Sequence, residues 1–238
     1  MPIGTSSSHR LLAARDGIAQ IEAMRAASSP MSTTDTHATG RDAKIMARLS
    51  APKTSAHANI IQLKVTLRGV KPPVWRRLLM PGTMNRGQLH TAIQAAMGWR
   101  DCHLHVFNIG GEPFGDRRSV DDVTDEKSPT LNGLLRSSVV RFGYTYDFGD
   151  NWEHTIAFEK RELAVEGGSY PACIGGKRNC PPEDCGGPWG YEQLLAILAD
   201  PDHPEHADQV DWIGEEFEPN EFNLERANTV LAARFMKK

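Results

Sequence analysis

Three cysteines are clustered in the second half of the chain, with the spacing C-x6-C-x4-C: Cys173, Cys180 and Cys185. The segment between and around them is rich in glycine and proline. Thiolates are favoured ligands of zinc, and a flexible glycine- and proline-rich loop allows a short backbone to wrap around an ion. The cluster therefore predicts a zinc site, for which a fourth ligand must come from elsewhere in the chain.

Cys102 is the remaining thiol that could supply that fourth ligand, but a histidine is the preferred source. His103 and His105 are two residues apart in an apolar segment, and His154 lies in a second apolar segment with the same alternation. Alternate residues of a strand point to one face, so each set faces an apolar side of the sheet. Two histidines at this spacing are suited to bind a metal, but a hydrogen-bonded core role is the alternative for all three.

Two carboxylates in the segment YDFGDNWEH form the second candidate site. Asp147 and Asp150 flank a glycine turn shortly before His154. The three side chains could bind a divalent cation, or one aspartate could act as a general base. The alternative is turn chemistry, because an aspartate side chain bonds readily to backbone two residues further on. Glu183 and Asp184 lie next to the cysteines and could support the metal ligands or act as a base, and the alternative for Asp184 is to cap the turn.

The cysteines also have two structural interpretations. Each could be a small apolar side chain packed in a tight loop. A disulfide is the other alternative, but it is disfavoured because the chain has the features of a cytoplasmic protein. No run of about 18 apolar residues that could cross a membrane is present, and the short Leu-Leu-Ala-Ala run near the start is too brief for a signal peptide.

The elements that must position these residues begin abruptly after a polar leader. Residues 1–58 are rich in serine and small residues and predict a disordered leader, and residues 59–238 predict one folded domain. Strict alternation from Ile61 to Arg68 predicts a strand, which a turn with two prolines connects to a second strand at Val74 to Met80.

A helix and further strands follow this hairpin. Asn85 is suited to cap a helix that ends at Gly98. Strands are predicted at His103 to Ile109, Val139 to Phe148 and Trp152 to Phe158, with a short strand near 112–114 and a helical turn near 131–135. The order of hairpin, helix and further strands predicts an α+β fold with a β-grasp-like mixed sheet. A Cys/Gly/Pro-rich loop and three C-terminal helices complete the predicted fold.

The distribution of charge argues against nucleic acid as a partner. The net charge is −3, and no lysine or arginine occurs between Arg178 and Arg226, where thirteen carboxylates lie. Binding to nucleic acid depends on cations that displace counterions from phosphates. Trp75-Arg76-Arg77 has two cations beside an aromatic ring, which is too small a basic patch to reverse this conclusion.

Four segments together resemble one known family. They are LKVTL with PVWRR, GW with HLH, YDFGDNWEH, and CPPEDCGG, in this order, within about residues 59–236. The chain resembles the plasmid pRiA4b ORF-3-like protein family through all four. The resemblance implies a domain without an assigned activity, and some members carry the transposon label TnpR. The residues do not support a serine resolvase, which needs a nucleophilic serine, several active-site arginines and a basic tail.

Three functional hypotheses follow. The first is a metal-stapled module that binds a protein partner, with zinc held by the cysteine cluster. The second is a metal-dependent hydrolase or nuclease that uses the HLH and YDFGDNWEH segments, and it requires His103, His105, Asp147, Asp150 and His154 to converge within about 5 Å around an open metal position. The third, an accessory protein of a mobile element, follows only from the label of the resembling family.

Overall fold

The structure is a computed structural model that describes residues 59–214 and 217–235 of the 238-residue chain. The predicted leader, residues 1–58, lies outside the described residues, so its disorder remains a prediction. Within the described ranges, none of the helices is long and apolar enough to cross a lipid bilayer.

Eight strands and five helices make up the described part. The strands are β1 Asn59–Leu67, β2 Trp75–Pro81, β3 His105–Ile109, β4 Glu112–Gly115, β5 Thr124–Asp125, β6 Arg141–Tyr146, β7 Trp152–Leu163 and β8 Ala172–Lys177. The helices are α1 Arg86–Met97, α2 Leu131–Arg136, α3 Gly187–Leu198, α4 His206–Ile213 and α5 Leu224–Phe235.

All eight strands form one mixed sheet in the order β5-β4-β3-β6-β7-β1-β2-β8. Every neighbouring pair is antiparallel except β4 and β5, which are parallel. The predicted α+β class, in which a hairpin and a helix precede further strands and three helices end the chain, is confirmed. The β3, β6 and β7 strands are neighbours, which brings the HLH and YDFGDNWEH segments to one region of the sheet.

The central hairpin forms because its apolar residues alternate in phase. In the register of β1 with β2, Leu63 lies opposite Leu78, and both side chains are fully buried. A one-residue slip would turn these side chains to the opposite face, so the buried pattern fixes the register. The hairpin therefore provides a rigid base for the rest of the sheet.

Helix α1 begins and ends where its sequence signals predicted. The side chain of Asn85 accepts a hydrogen bond from the Gln88 amide, and the Gln88 side chain accepts one from the Asn85 amide, which completes a capping box. At the other end Gly98 adopts φ 94°, a left-handed conformation that costs glycine little. The buried side of α1 joins the core of the sheet and also packs against α5.

Two differences from the sequence prediction affect the predicted site residues. Strand β3 begins at His105, so His103 lies in the bend before the strand and not on it. The predicted Cys/Gly/Pro-rich loop contains strand β8, whose Cys173 lies opposite Leu78 of β2. Its consecutive glycines hide any alternation, and the strand forms because the free edge of β2 supplies hydrogen-bond partners.

A buried arginine ties α1 to this edge of the sheet. Arg76 is only 2% exposed, and its guanidinium donates hydrogen bonds to the carbonyl oxygens of Ala96, Trp75 and Lys177 at 2.9, 2.9 and 3.2 Å. It also lies over the ring of Phe222, 4.1 Å from the ring centroid. The next residue, Arg77, instead forms a partly exposed ion pair on the other face of the strand.

Candidate metal centre and adjoining cleft

His103 is the centre of a small cluster of possible metal ligands. Its Nε2 atom lies 3.2 Å from Asp184 Oδ1 and 3.6 Å from Asp147 Oδ2. One ligand atom from each of the three residues lies within 4.8 Å of the other two. An imidazole nitrogen and two carboxylate oxygens at this separation are a suitable ligand set for a divalent cation such as zinc.

Among residues 59–214 and 217–235, the buried Nε2 atom of His103 finds no hydrogen-bond partner. Both nearby carboxylates are close to it, but neither meets the geometry of a hydrogen bond. Buried polar atoms of proteins are almost always paired with protein or solvent, so an unpaired atom between two carboxylates needs an explanation. A cation that all three side chains contact would provide one.

Two tight turns present the carboxylates. Asp147 and Asp184 have φ angles of 58° and 61°, in the left-handed region that aspartate tolerates better than most residues. The Asp147 amide donates to the Leu104 carbonyl at 2.8 Å, which joins this turn to the segment that carries His103. Asp147 Oδ1 accepts a hydrogen bond from Gly149 at 2.9 Å, so both turn chemistry and the cluster use the same carboxylate.

A second group of possible ligands also includes His103, and a network of hydrogen bonds holds it in place. Cys102, His103 and Glu183 also place one ligand atom each within 4.8 Å of one another. Glu183, whose side chain is 5% exposed, accepts hydrogen bonds from Tyr146 at 2.6 Å and from the Arg100 guanidinium at 2.9 Å. This network fixes the loop that carries Asp184.

The same network keeps Glu183 charged. Burial opposes the charged form of this carboxyl group, but hydrogen bonds from Tyr146 and Arg100 outweigh burial and lower its pKa. Burial, together with the bond to Glu183, raises the pKa of the Tyr146 hydroxyl. The tyrosine therefore stays a donor and the glutamate stays an acceptor.

A cleft of about 470 Å³ adjoins the cluster, and His103 is part of its wall. Two stacked histidines form another part of the wall. The rings of His90 and His105 are parallel to within 8° and their centroids are 3.5 Å apart. Each Nε2 atom faces a carboxylate, Asp101 at 2.6 Å and Glu126 at 2.7 Å, respectively.

Both ring nitrogens of His90, the inner histidine of the stacked pair, form hydrogen bonds. The Tyr144 hydroxyl oxygen accepts a hydrogen bond from the side-chain amide of Gln94 at 3.1 Å and lies 2.8 Å from Nδ1 of His90. The hydroxyl proton of Tyr144 is therefore available for a hydrogen bond to His90. Burial lowers the pKa of His90, which favours the neutral ring. His90 thus gives His105 a neutral surface to stack on.

His105, the outer histidine of the stacked pair, uses one of its two ring nitrogens for a hydrogen bond. Glu126 holds Nε2 of His105, and within the described residues Nδ1 has no hydrogen-bond partner. A carboxylate that accepts from one imidazole nitrogen fixes the tautomer and leaves the other nitrogen as an acceptor. This arrangement can orient a substrate or a water molecule in the cleft.

Of the three predicted catalytic candidates, the structure brings only Asp147 into the cluster. Asp150 accepts a hydrogen bond from the Gly186 amide at 3.3 Å, which joins its turn to the start of α3 and is not the local turn role that was its alternative. His154 is 2% exposed in the core, between the rings of Trp99 and Tyr144, and burial lowers its pKa to about 4. In the described ranges, neither residue belongs to a group of ligand atoms within 4.8 Å, and His105 does not either. The five side chains that the hydrolase hypothesis required therefore do not converge around one metal position.

The cysteine cluster is not assembled into such a group either. Cys173 and Cys180 are buried and Cys185 is half-buried, and within the described residues none of them shares a 4.8 Å group with a histidine. Burial raises the pKa of Cys180 to about 12 and that of Cys185 to about 12. The predicted zinc site at these three residues stays a prediction.

Several residues of the site were not singled out from the sequence. His90 lies on the buried side of an ordinary amphipathic helix, and Glu126 and Asp101 lie in loops, where isolated carboxylates give no signal. Asp184 was considered, but with turn chemistry as its alternative. Cys102 was considered as the fourth ligand of the cysteine cluster, but a histidine was preferred because the pattern of the resembling family is tolerant at this position. The position of these residues depends on contacts between distant segments.

The model of the plasmid pRiA4b ORF-3-like protein family matches residues 59–226. The chain belongs to this family. The match covers both the cluster around His103 and the wall of the cleft. A Sinorhizobium fredii protein named "Uncharacterized protein y4hQ" is 39% identical over 188 residues, which are 76% of this chain and 96% of that protein.

A solved structure is also similar to this chain. It is the crystal structure of a protein of unknown function, MM3350, from Methanosarcina mazei Go1, with a TM-score of 0.66 and 38% sequence identity. The similarity covers 71% of this chain and 97% of that one. Neither relative's name states an activity, so the function must be argued from the site.

Proposed function

We propose that this protein is a metal-dependent hydrolase whose cation is held by His103, Asp147 and Asp184. The observation that carries the proposal is the buried, unpaired Nε2 atom of His103 between two carboxylate oxygens. A site with three protein ligands keeps a position for water, which distinguishes catalytic from structural zinc sites. The bound cation would supply an activated water and polarise the substrate.

The surroundings of the cluster support this proposal. His103 lies in the wall of the cleft, and the stacked pair of His90 and His105 provides oriented polar groups in the same wall. Glu183, Tyr146 and Arg100 hold the loop of Asp184 in place. Catalytic ligands require this kind of outer support to keep their geometry.

The test is a hydrolysis assay on the full chain after chelator dialysis, with zinc or manganese restored. The substrates are chromogenic phosphodiester, phosphomonoester, ester and amide compounds. We expect one class of substrate to be hydrolysed only when the metal is present. Asp184→Asn should lower the rate by roughly 100-fold or more, because loss of a group that only supports a metal ligand can already cost that much.

Asp122→Asn is the matched control. Like Asp184, Asp122 is exposed and has a left-handed backbone conformation, with a φ angle of 55° against 61° for Asp184. Unlike Asp184, it lies outside the cluster. Its variant is expected to retain the activity of the parent. Turnover that is insensitive to the chelator and to Asp184→Asn would contradict the proposal, as would no turnover by the metal-loaded protein.

The second candidate is the metal-stapled module that binds a protein partner. Its support is the environment of Arg76, a buried cation that lies near the thiols of Cys180 and Cys173. A buried charge needs compensation, which zinc-bound thiolates would supply. The exposed rings of Trp189 and Trp212 offer apolar surface to a protein partner.

Metal analysis separates the two candidates. Zinc that is lost in Cys180→Ser and kept in Asp184→Asn supports the staple, and the reverse pattern supports the hydrolase. The role of a mobile-element accessory stays a prediction, and the acidic C-terminal third of the chain argues against contact with DNA.

A further inference from the structure

The side of the sheet opposite the core carries basic and aromatic residues on β2 and its two neighbouring strands. Arg76 is buried on the core side, so Trp75 and Arg77 lie on the opposite side of β2. Lys64 of β1 lies opposite Arg77 in the register, and Lys177 of β8 lies opposite Trp75. Directly opposed residues share one side of a sheet. We refer to Lys64, Trp75, Arg77 and Lys177 together as the basic face.

The ring of Trp75 lies at the centre of the basic face. Lys64 Nζ and Arg77 Cζ are each 5.1 Å from the ring centroid, within the range of a cation–π contact. On the side of β8, an added Cβ at Gly175 would lie 3.9 Å from the ring. Trp75 is half-buried, so part of its ring stays accessible. The basic face therefore combines cations with a central apolar contact.

Ion pairing leaves two cations of the basic face free. Arg77 donates two hydrogen bonds to Glu159, at 2.6 and 2.8 Å, and is neutralised by that carboxylate. In the described ranges, neither Lys64 nor Lys177 forms an ion pair with a carboxylate. Their strands, β1 and β8, lie on either side of β2. Each lysine is therefore available to an anionic group of a ligand.

The positions of the two free lysines set the spacing of such a ligand. Lys64 and Lys177 are two strands apart across the sheet and two residues apart along the strand direction. With strands about 4.8 Å apart and a rise of about 3.4 Å per residue, their backbones are separated by roughly 12 Å. In an extended peptide, residues i and i+4 lie on the same side about 13 Å apart, with residue i+2 between them. Carboxylates at i and i+4 thus match the two lysines.

We propose that the basic face binds an extended acidic segment of a partner protein, with carboxylates at positions i and i+4 and an apolar side chain at i+2. Lys64 and Lys177 would each pair with one carboxylate, and the apolar side chain would contact the ring of Trp75. Tryptophan and arginine are the side chains that most often dominate binding at protein interfaces. The inference does not depend on the proposed metal centre, because the basic face shares no residue with the cluster or the cleft.

Single-stranded nucleic acid fits the basic face less well than an acidic peptide. Bases bind to such surfaces by stacking on open aromatic rings. Here Lys64 and Arg77 already lie over the ring of Trp75. Two free lysines also offer fewer phosphate contacts than the electrostatic binding of nucleic acid uses.

Calorimetry on the full chain at low ionic strength tests the inference with three blocked heptapeptides. The first, SESLSES, has the matched spacing of glutamates around a leucine. The second, SKSLSKS, reverses the charge, and the third, SEELSSS, places the glutamates side by side. We expect the first peptide to bind, the second not to bind, and the third to bind about threefold more weakly than the first, because one ion pair is lost.

Lys64→Glu and Lys177→Glu are each expected to weaken binding of SESLSES about tenfold, because an attraction is replaced by a repulsion of similar size. Arg117→Glu is the matched control. Arg117 is exposed, lies outside the basic face and, among the residues that the structure describes, forms no ion pair. Its variant is expected to bind the peptide as the parent does.

Three results would overturn the inference. The first is a parent chain that does not bind SESLSES, or that binds it no more tightly than Lys177→Glu does. The second is binding of a thymidine oligonucleotide that Lys177→Glu abolishes, which would assign the basic face to nucleic acid. The third is a dimer of the full chain that Lys177→Glu dissociates in sedimentation, since a second copy would then cover the basic face.

Discussion

At the scale of single residues, His103 and His154 show that histidines predicted on an apolar face can have different roles. Within the described residues, both have buried ring nitrogens without a hydrogen-bond partner. His103 lies next to two carboxylates at the wall of a cleft, whereas His154 is enclosed by aromatic rings in the core. Their neighbours, not their sequence pattern, decide which of them can bind a cation.

The buried His154 predicts a pH dependence of stability. Its pKa is about 4 in the folded protein against 6.5 in the unfolded chain, so the unfolded state binds more protons between these values. The free energy of unfolding should therefore fall by roughly 3 kcal/mol as the pH drops from 6.5 to 4, and this contribution should level off below that.

Urea unfolding at a series of pH values checks this expectation in the parent and in His154→Phe. The variant should lack this part of the pH dependence, so the two curves should diverge as the pH falls. The same substitution at the half-buried His206 should leave the slope unchanged. Parallel curves for the parent and His154→Phe would show that His154 is not the cause.

At the scale of elements, the sequence predicted what local signals determine. The alternation in β1 and the caps Asn85 and Gly98 around α1 were sufficient to place these elements. Strand β8 was missed because its glycines carry no pattern, and its formation depends on the edge of β2.

The candidate site was predictable to a similar extent. His103 and Asp147 were found because short motifs surround them. The position of Asp184 depends on how the start of α3 meets the turn of Asp150, a contact between residues 36 positions apart in the chain. Such a contact is a property of the packed fold, so local spacing gave no signal for it.

Two neighbouring arginines of β2 predict unequal costs of substitution. Arg76 joins α1, β2 and β8 through three carbonyl oxygens, and its removal leaves these acceptors buried and opens a cavity. Arg76→Ala should therefore cost about 3 kcal/mol or more of unfolding free energy.

Arg77→Ala is the matched control. Arg77 pairs with Glu159 at 2.6 Å on a partly exposed surface, where an ion pair contributes about 1 kcal/mol or less. Chemical denaturation of both variants measures the difference. Equal losses would contradict the structural role assigned to the buried guanidinium.

At the scale of the whole molecule, the distribution of charge limits the class of partner. The chain carries a net charge of −3, and helices α3 and α4 lie in a stretch with thirteen carboxylates and no lysine or arginine. In the cleft wall, by contrast, Asp116 pairs with Arg118 and Asp101 with Arg234. A phosphate backbone would therefore meet repulsion mainly at the surface of α3 and α4.

The full chain is therefore expected to leave duplex DNA unshifted in an electrophoretic assay, even at low ionic strength, where electrostatic attraction is strongest. A basic DNA-binding protein serves as the positive control. A mobility shift at low salt that weakens steeply as salt is added would contradict this expectation and favour the mobile-element hypothesis.

The measurement that tests the central claim most directly is zinc binding by the full chain. Calorimetry and elemental analysis would compare the parent with Asp184→Asn, Asp122→Asn and Cys180→Ser. Asparagine fits the left-handed backbone of both aspartate positions, so neither substitution should disturb the fold. We predict one zinc ion per chain in the parent, in Asp122→Asn and in Cys180→Ser, and loss of zinc in Asp184→Asn. Zinc retained by Asp184→Asn, or absent from the parent, would contradict a metal centre at His103.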